Sequence, residues 1–149
     1  MKDSFLKLKE YFLNKNTQNK IVYRFISKSE KQAIDNQDIE NLGGSWNKKN
    51  YANTHRYQKN TKYLHFIDNR KDAMIVYNEL GFKRDYFCAY SIPVKILRKY
   101  RGKGHYSRGY EFYDTIKEYA IPSDQFDPQW LISTKTIEEF LDEESCKTA

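Results

Sequence analysis

Three runs rich in β-branched and aromatic residues each carry one central polar group: Arg24 in Ile21–Ile26 (IVYRFI), His65 in Tyr63–Ile67 (YLHFI) and Glu118 in Lys117–Ile121 (KEYAI). Each belongs to a different charge class, and each suits a different task. A guanidinium grips paired phosphate oxygens through its planar fork. An imidazole exchanges protons near neutrality. A carboxylate steadies positive charge that develops on a sugar ring. Burying an unpaired charge is costly, so such a residue is paired, functional, or turned to the solvent side of its strand.

A second constellation is the basic, glycine-punctuated segment Arg101–Gly109 (RGKGHYSRG). Arg101, Lys103, His105 and Arg108 alternate there with Tyr100, Tyr106 and Tyr110. Glycines let backbone approach a phosphate, cations neutralise it, and tyrosine rings offer stacking faces for bases. The blander reading is a solvated surface loop. A third cluster, Asn53, Thr54, His55, Arg56 and Tyr57 (NTHRY), lies in a polar stretch from Asn41 to Lys62. With His105 and a carboxylate, His55 could run acid–base phosphodiester cleavage. No cysteine has the close Cys or His neighbour that zinc needs, so no metal is expected.

These residues need elements to hold them. Periodicity predicts an amphipathic helix over residues 4–13 and strands over 21–26, 63–67, 86–92, 117–121 and 130–133. Helices are expected from Ser29, as a capping box with Gln32, through Asn36; over Arg70–Leu80, closed by Gly81; after Pro93 (VKILRKY); and over Thr134–Leu141. Residues after about 142 are expected to fray. The polar stretch 41–62 is too long for an idle connection and is expected to be functional or mobile. The order of elements makes a single α+β domain over 1–149. Its expected core is a small mixed or antiparallel sheet of about five or six strands with flanking helices.

A Tyr-Arg strand (Tyr23-Arg24), a second strand and helix of the form aromatic-x-His-Phe…Ala-x-x-x-Tyr (Tyr63 to Tyr77), and a late Glu-Tyr-x-Ile strand (Glu118–Ile121) together resemble the ADP-ribosyltransferase superfamily of bacterial toxins and poly(ADP-ribose) polymerases. The likeness spans roughly residues 21–132. The resemblance implies NAD as cofactor and transfer of ADP-ribose to a protein or nucleic-acid target. It assigns Glu118 as the catalytic carboxylate, Tyr23 and Arg24 to the nucleotide, and the second strand to the nicotinamide pocket. Arg24 would clamp a pyrophosphate oxygen, and Tyr63 or Phe66 would stack on the nicotinamide. The second motif departs from the family, which most often has Ser-Thr-Ser or a Tyr where this chain has His65-Phe66. No Gly-x-Gly-x-x-Gly fingerprint is present, so a Rossmann mode of NAD binding is not expected.

Composition bounds these readings. The chain has 149 residues, and its hydrophobic content of 39% is low, but aromatics make up 16%. Thirteen Tyr and nine Phe bury enough area to build a core from few aliphatics. Twenty-six basic against 20 acidic residues leave a formal charge of +6, which points to an acidic partner such as nucleic acid. From Tyr86 to Tyr110 there are six Lys or Arg residues and no acid, whereas the stretch after Thr136 is acidic. Two cysteines, Cys88 and Cys146, make no disulfide framework and fit a reduced, cytoplasmic setting. No apolar run is long enough to span a bilayer, so no membrane partner is expected. Three functions therefore compete: an ADP-ribosyltransferase, a small basic non-catalytic module that binds nucleic acid or inhibits a nucleoprotein complex, and a ribonuclease-like toxin.

Overall fold

The computed structural model describes residues 18–38, 63–80, 84–102 and 116–148. The helix expected over 4–13, the 41–62 segment with His55, Gly81, and Lys103, His105, Tyr106 and Arg108 lie outside the described residues. Among the described residues the chain folds as helices around an antiparallel sheet. Five strands of five to eight residues form its body: β1 (Asn19–Ile26), β2 (Tyr63–Ile67), β3 (Tyr86–Pro93), β5 (Glu118–Pro122) and β6 (Leu131–Thr136). A two-residue strand, β4 (Arg101–Gly102), lies at one edge. The order across the sheet is β4-β5-β2-β1-β3-β6, and every pairing is antiparallel.

The sheet divides into two tightly paired groups. β1 pairs with β3 along all eight of its residues, from Asn19↔Pro93 to Ile26↔Tyr86. β2 pairs with β5 from Tyr63↔Pro122 to Ile67↔Glu118. Between the groups, β1 and β2 are joined by the single pair Tyr23↔Ile67.

Helices cover both faces. α1 (Lys28–Asp35) and α3 (Val94–Lys99) place Ala33 and Leu97 on a core of Val22, Ile26, Leu64, Phe66, Cys88, Tyr90 and Ile92. α2 (Arg70–Leu80) and α4 (Ile137–Thr148) place Ala73, Val76 and Phe140 on Ile67 and Phe87, with Tyr23 and Phe25 packed alongside. Because strand side chains alternate, even positions of β1 face α1 and odd positions face α2. Aromatic rings stack within the second core: Phe87 lies on Phe140 with centroids 4.0 Å apart and on Tyr23 at 5.2 Å. The Arg70 guanidinium lies over both phenyl rings and reaches Glu143 and Glu144, which ties the start of α2 to the end of α4.

Several expected boundaries move, each for a local reason. Ser27, not Ser29, caps α1, its hydroxyl accepting from the Glu30 N–H at 3.2 Å. Thr134–Thr136 complete β6 rather than open a helix. Thr136 then caps α4, its hydroxyl accepting from the Glu139 N–H while donating to the Glu139 carboxylate. α4 runs from Ile137 to Thr148, past the expected limit at Leu141, and its Glu143 and Glu144 are held by Arg70 and Lys135. Arg101–Gly102, read as loop, is a strand only because β5 lies beside it.

Candidate functional site

The strands that carry the three ionisable residues lie side by side, in the order β5-β2-β1. Glu118 pairs with Ile67, and Ile67 pairs with Tyr23. Directly paired residues of antiparallel strands share a face, so Glu118, Ile67 and Tyr23 form one row across three strands. The row extends to Gly102 on one side and to Ala89 and Ser133 on the other. His65, paired with Ala120, lies two positions along β2 on the same face. Glu118 and His65 are thus diagonal cross-strand neighbours, about 7–8 Å apart at their backbones. Both are buried, at 2% and 7% exposure.

Arg24 points the other way. It shares the even face of β1 with Val22 and Ile26, under α1. Its Nε and Nη2 donate to Glu30 Oε1 and Oε2 at 2.9 and 3.0 Å, a bidentate pair. Its Nη1 donates to the His65 carbonyl at 3.0 Å, across the sparsely paired junction of β1 and β2. The guanidinium side chain is 13% exposed and the Glu30 carboxylate 5%. Arg24 and Glu118 therefore do not converge across one face, and the Arg24 fork is occupied by Glu30. What Arg24 does is clasp the two halves of the sheet at the residue that bears the imidazole.

The remaining second-strand residues divide by the same alternation. Phe66 is fully buried on the α1 face, where its ring packs against Tyr90 at 5.0 Å and Phe126 at 5.9 Å. That ring is part of the core rather than of a ligand surface. Tyr63 lies on the face of His65 and clusters with Ala120. Tyr23 is half-buried, stacked on Phe87.

The start of β5 is held from both sides of Glu118 by the β2–α2 junction. The Asp68 N–H donates to the Lys117 carbonyl at 3.0 Å, and the Lys117 N–H donates to Asp72 Oδ2 at 3.2 Å. The Tyr119 hydroxyl and the Lys20 ammonium both donate to Asp68 Oδ1. Burial works against a charged Asp68, but hydrogen bonds from Lys20, Tyr119 and Asn69 outweigh it and hold the carboxyl below its usual range. Burial, and then the Asp68 acceptor, push the Tyr119 phenol well up, so it stays a donor at neutral pH. Asn69 caps α2, accepting from the Asp72 N–H at 2.8 Å, and this leaves Asp68 available for Lys20 and Tyr119.

Glu30, Asp68 and Asp72 carry these contacts and were not singled out as site residues from sequence. Asp68 had a signal, since it closes the YLHFI run, but it reads equally well as a helix cap. Glu30 had one too: Ser27-Lys28-Ser29-Glu30 is a capping-box pattern. Its carboxylate turns instead to Arg24.

The second constellation is described only at its edge. Lys95, Arg98, Lys99 and Arg101 are all exposed. Arg101 pairs with Tyr119 and Gly102 with Glu118, so Gly102 lies beside the carboxylate while Arg101 lies on the opposite face of the sheet. The Tyr100 carbonyl also accepts from the Ala120 N–H at 3.0 Å. Among the described residues, no cluster of three or more His, Cys, Asp or Glu could hold a metal ion, and no helix is long and apolar enough to cross a membrane. Compared with protein-family models, curated proteins and solved structures, the chain matches none.

Proposed function

We propose that the protein is an ADP-ribosyltransferase-like enzyme that uses NAD and transfers ADP-ribose to a protein or nucleic-acid target. The observation that carries this reading is the adjacency of β1, β2 and β5, with His65 and Glu118 on one face of neighbouring strands. These are the three strands on which the family resemblance rests, and they are far apart in sequence.

Glu118 is the residue that meets the reacting sugar. Cleavage of a nicotinamide–ribose bond builds oxocarbenium character, and a carboxylate on a ribose hydroxyl stabilises it. A carboxylate fixed on a strand does so without reorganising. Asp68 and Asp72 fix that strand through Lys117 and Tyr119. In this reading His65 and Tyr23, which share the face of Glu118, contact the nucleotide. Of the two stacking candidates, Tyr63 and Phe66, Tyr63 lies on that face and Phe66 on the other, so Tyr63 is the one retained. Arg24 acts as a positioning residue through the His65 carbonyl, rather than as a pyrophosphate clamp.

The test is thermal shift of the full chain with NAD and, separately, ADP-ribose. A ligand that binds only the native state raises stability by about 2.7 kcal/mol at a hundred times its Kd. A rise in Tm with either ligand, reduced in Tyr23→Ala and His65→Ala, supports the reading. No shift at millimolar ligand overturns it.

A further inference from the structure

Among the described cations, Lys20, Arg24, Lys31, Arg70 and Lys135 each pair with a carboxylate. Lys28, Lys71, Lys95, Arg98, Lys99, Arg101 and Lys117 are exposed and form no ion pair among the described residues, and four of them, Lys95, Arg98, Lys99 and Arg101, fall on one helix and the strand that follows it. Sequence alone explains part of this, because no acid occurs between Tyr86 and Tyr110. The fold does the rest. On α3 the apolar Leu97 is buried and Ile96 packs on the core, which leaves Lys95, Arg98 and Lys99 on the solvent side. Their spacing of three and four residues puts all three on one helix face. The chain then passes through Tyr100, whose ring lies 5.4 Å from the Lys99 ammonium, straight into β4.

We infer that this ridge of α3 and β4 is a docking surface for the phosphodiester backbone of a nucleic acid. A line of unneutralised cations with an aromatic ring among them matches a chain of phosphates with stackable bases. The other exposed cations without an ion pair among the described residues, Lys28, Lys71 and Lys117, stand singly on α1, on α2 and before β5. The ridge lies on the α1 and α3 side of the sheet: Arg101 pairs with Tyr119, which packs on that core, whereas Gly102 pairs with Glu118, which belongs to the other face. Binding by the ridge therefore does not rest on the transferase reading.

Fluorescence anisotropy with a labelled single-stranded 20-mer and its duplex, across a series of salt concentrations, tests the surface. The compared proteins are the full chain, the ridge triple Lys95→Gln, Arg98→Gln, Lys99→Gln, and a control triple Lys28→Gln, Lys31→Gln, Lys71→Gln of equal charge change. The ridge triple should lose about tenfold or more in affinity, and its slope of log K against log salt on single strands should shallow by about 2, from three contacts of about 0.7 each. The control triple should change by less than threefold. Equal losses in the two triples would overturn the ridge, since net charge alone would then explain binding. So would binding to poly-glutamate or phosphatidylserine vesicles but to neither oligonucleotide. Absence of an NAD-induced thermal shift with the oligonucleotide result intact would remove the transferase reading and leave the ridge standing.

Discussion

Replacing Glu30 by alanine should destabilise the protein far more than replacing the whole ion pair. Glu30 and Arg24 are bonded through two nearly equal contacts of 2.9 and 3.0 Å, with side-chain exposures of only 5% and 13%. In Glu30→Ala the guanidinium stays under α1, keeps the His65 carbonyl, and loses the bidentate Glu30 carboxylate. Breaking a buried pair in this way costs about 3–5 kcal/mol. For a chain of this size that corresponds to a Tm lower by roughly 6–20 °C. The double variant Arg24→Met, Glu30→Leu removes both charges and refills the space. It leaves the His65 carbonyl without the guanidinium donor, a loss of about 1–3 kcal/mol. The double should therefore be more stable than the Glu30→Ala single, the reverse of what adding a second destabilising substitution would give. Urea denaturation followed by circular dichroism and tryptophan fluorescence measures both. A double variant at least as unstable as Glu30→Ala would refute the reasoning, because it would mean that the cost lies in packing rather than in an uncompensated charge.

Two further outcomes follow from the buried titratable groups. Asp68 is charged more easily folded than unfolded, so its contribution is complete above its ordinary value of 3.8 and is lost as pH falls through the lowered folded value. Asp68→Asn should flatten the acid limb of a stability–pH curve below about pH 4, and an unchanged limb would count against the Lys20–Asp68–Tyr119 network. Burial pushes the Cys88 thiol up to about 11, whereas Cys146 is exposed. A thiol reagent at neutral pH should modify one equivalent quickly and the second only on unfolding; two fast equivalents would contradict the packing of β3.

Much of this architecture was legible because local signals agreed. Tyr63–Ile67 and Arg70–Leu80 match the expected limits, since an aromatic and aliphatic run meets an Asp-Asn break and then helix periodicity. The two-residue β4 was not legible, because nothing in Arg101–Gly102 favours a strand until Tyr119 and Glu118 lie beside it. Thr134–Thr136 were ambiguous for a chemical reason: threonine serves equally as a strand residue and as a helix cap. At the site, parity alone placed Arg24 with Val22 and Ile26. The relative face of Glu118 depends on the register Tyr23↔Ile67↔Glu118, which joins residues up to 95 positions apart and leaves no trace in local spacing. Hence the three ionisable groups could be picked out from sequence, but not the fact that His65 and Glu118 share a face while Arg24 turns to Glu30.

The most direct test of the account is NAD consumption, followed by chromatography of nicotinamide and ADP-ribose, by the full chain and its Glu118→Gln variant with oligonucleotide present as acceptor. Glu118→Gln keeps the size of the side chain and removes the charge that would stabilise the ribose cation. Loss of a single preorganised stabilising group costs about 10²–10³ in rate. The account predicts measurable nicotinamide release by the natural protein and a fall of that order in the variant, with far-ultraviolet circular dichroism unchanged. Equal rates in the two proteins, or no release from either, would contradict it.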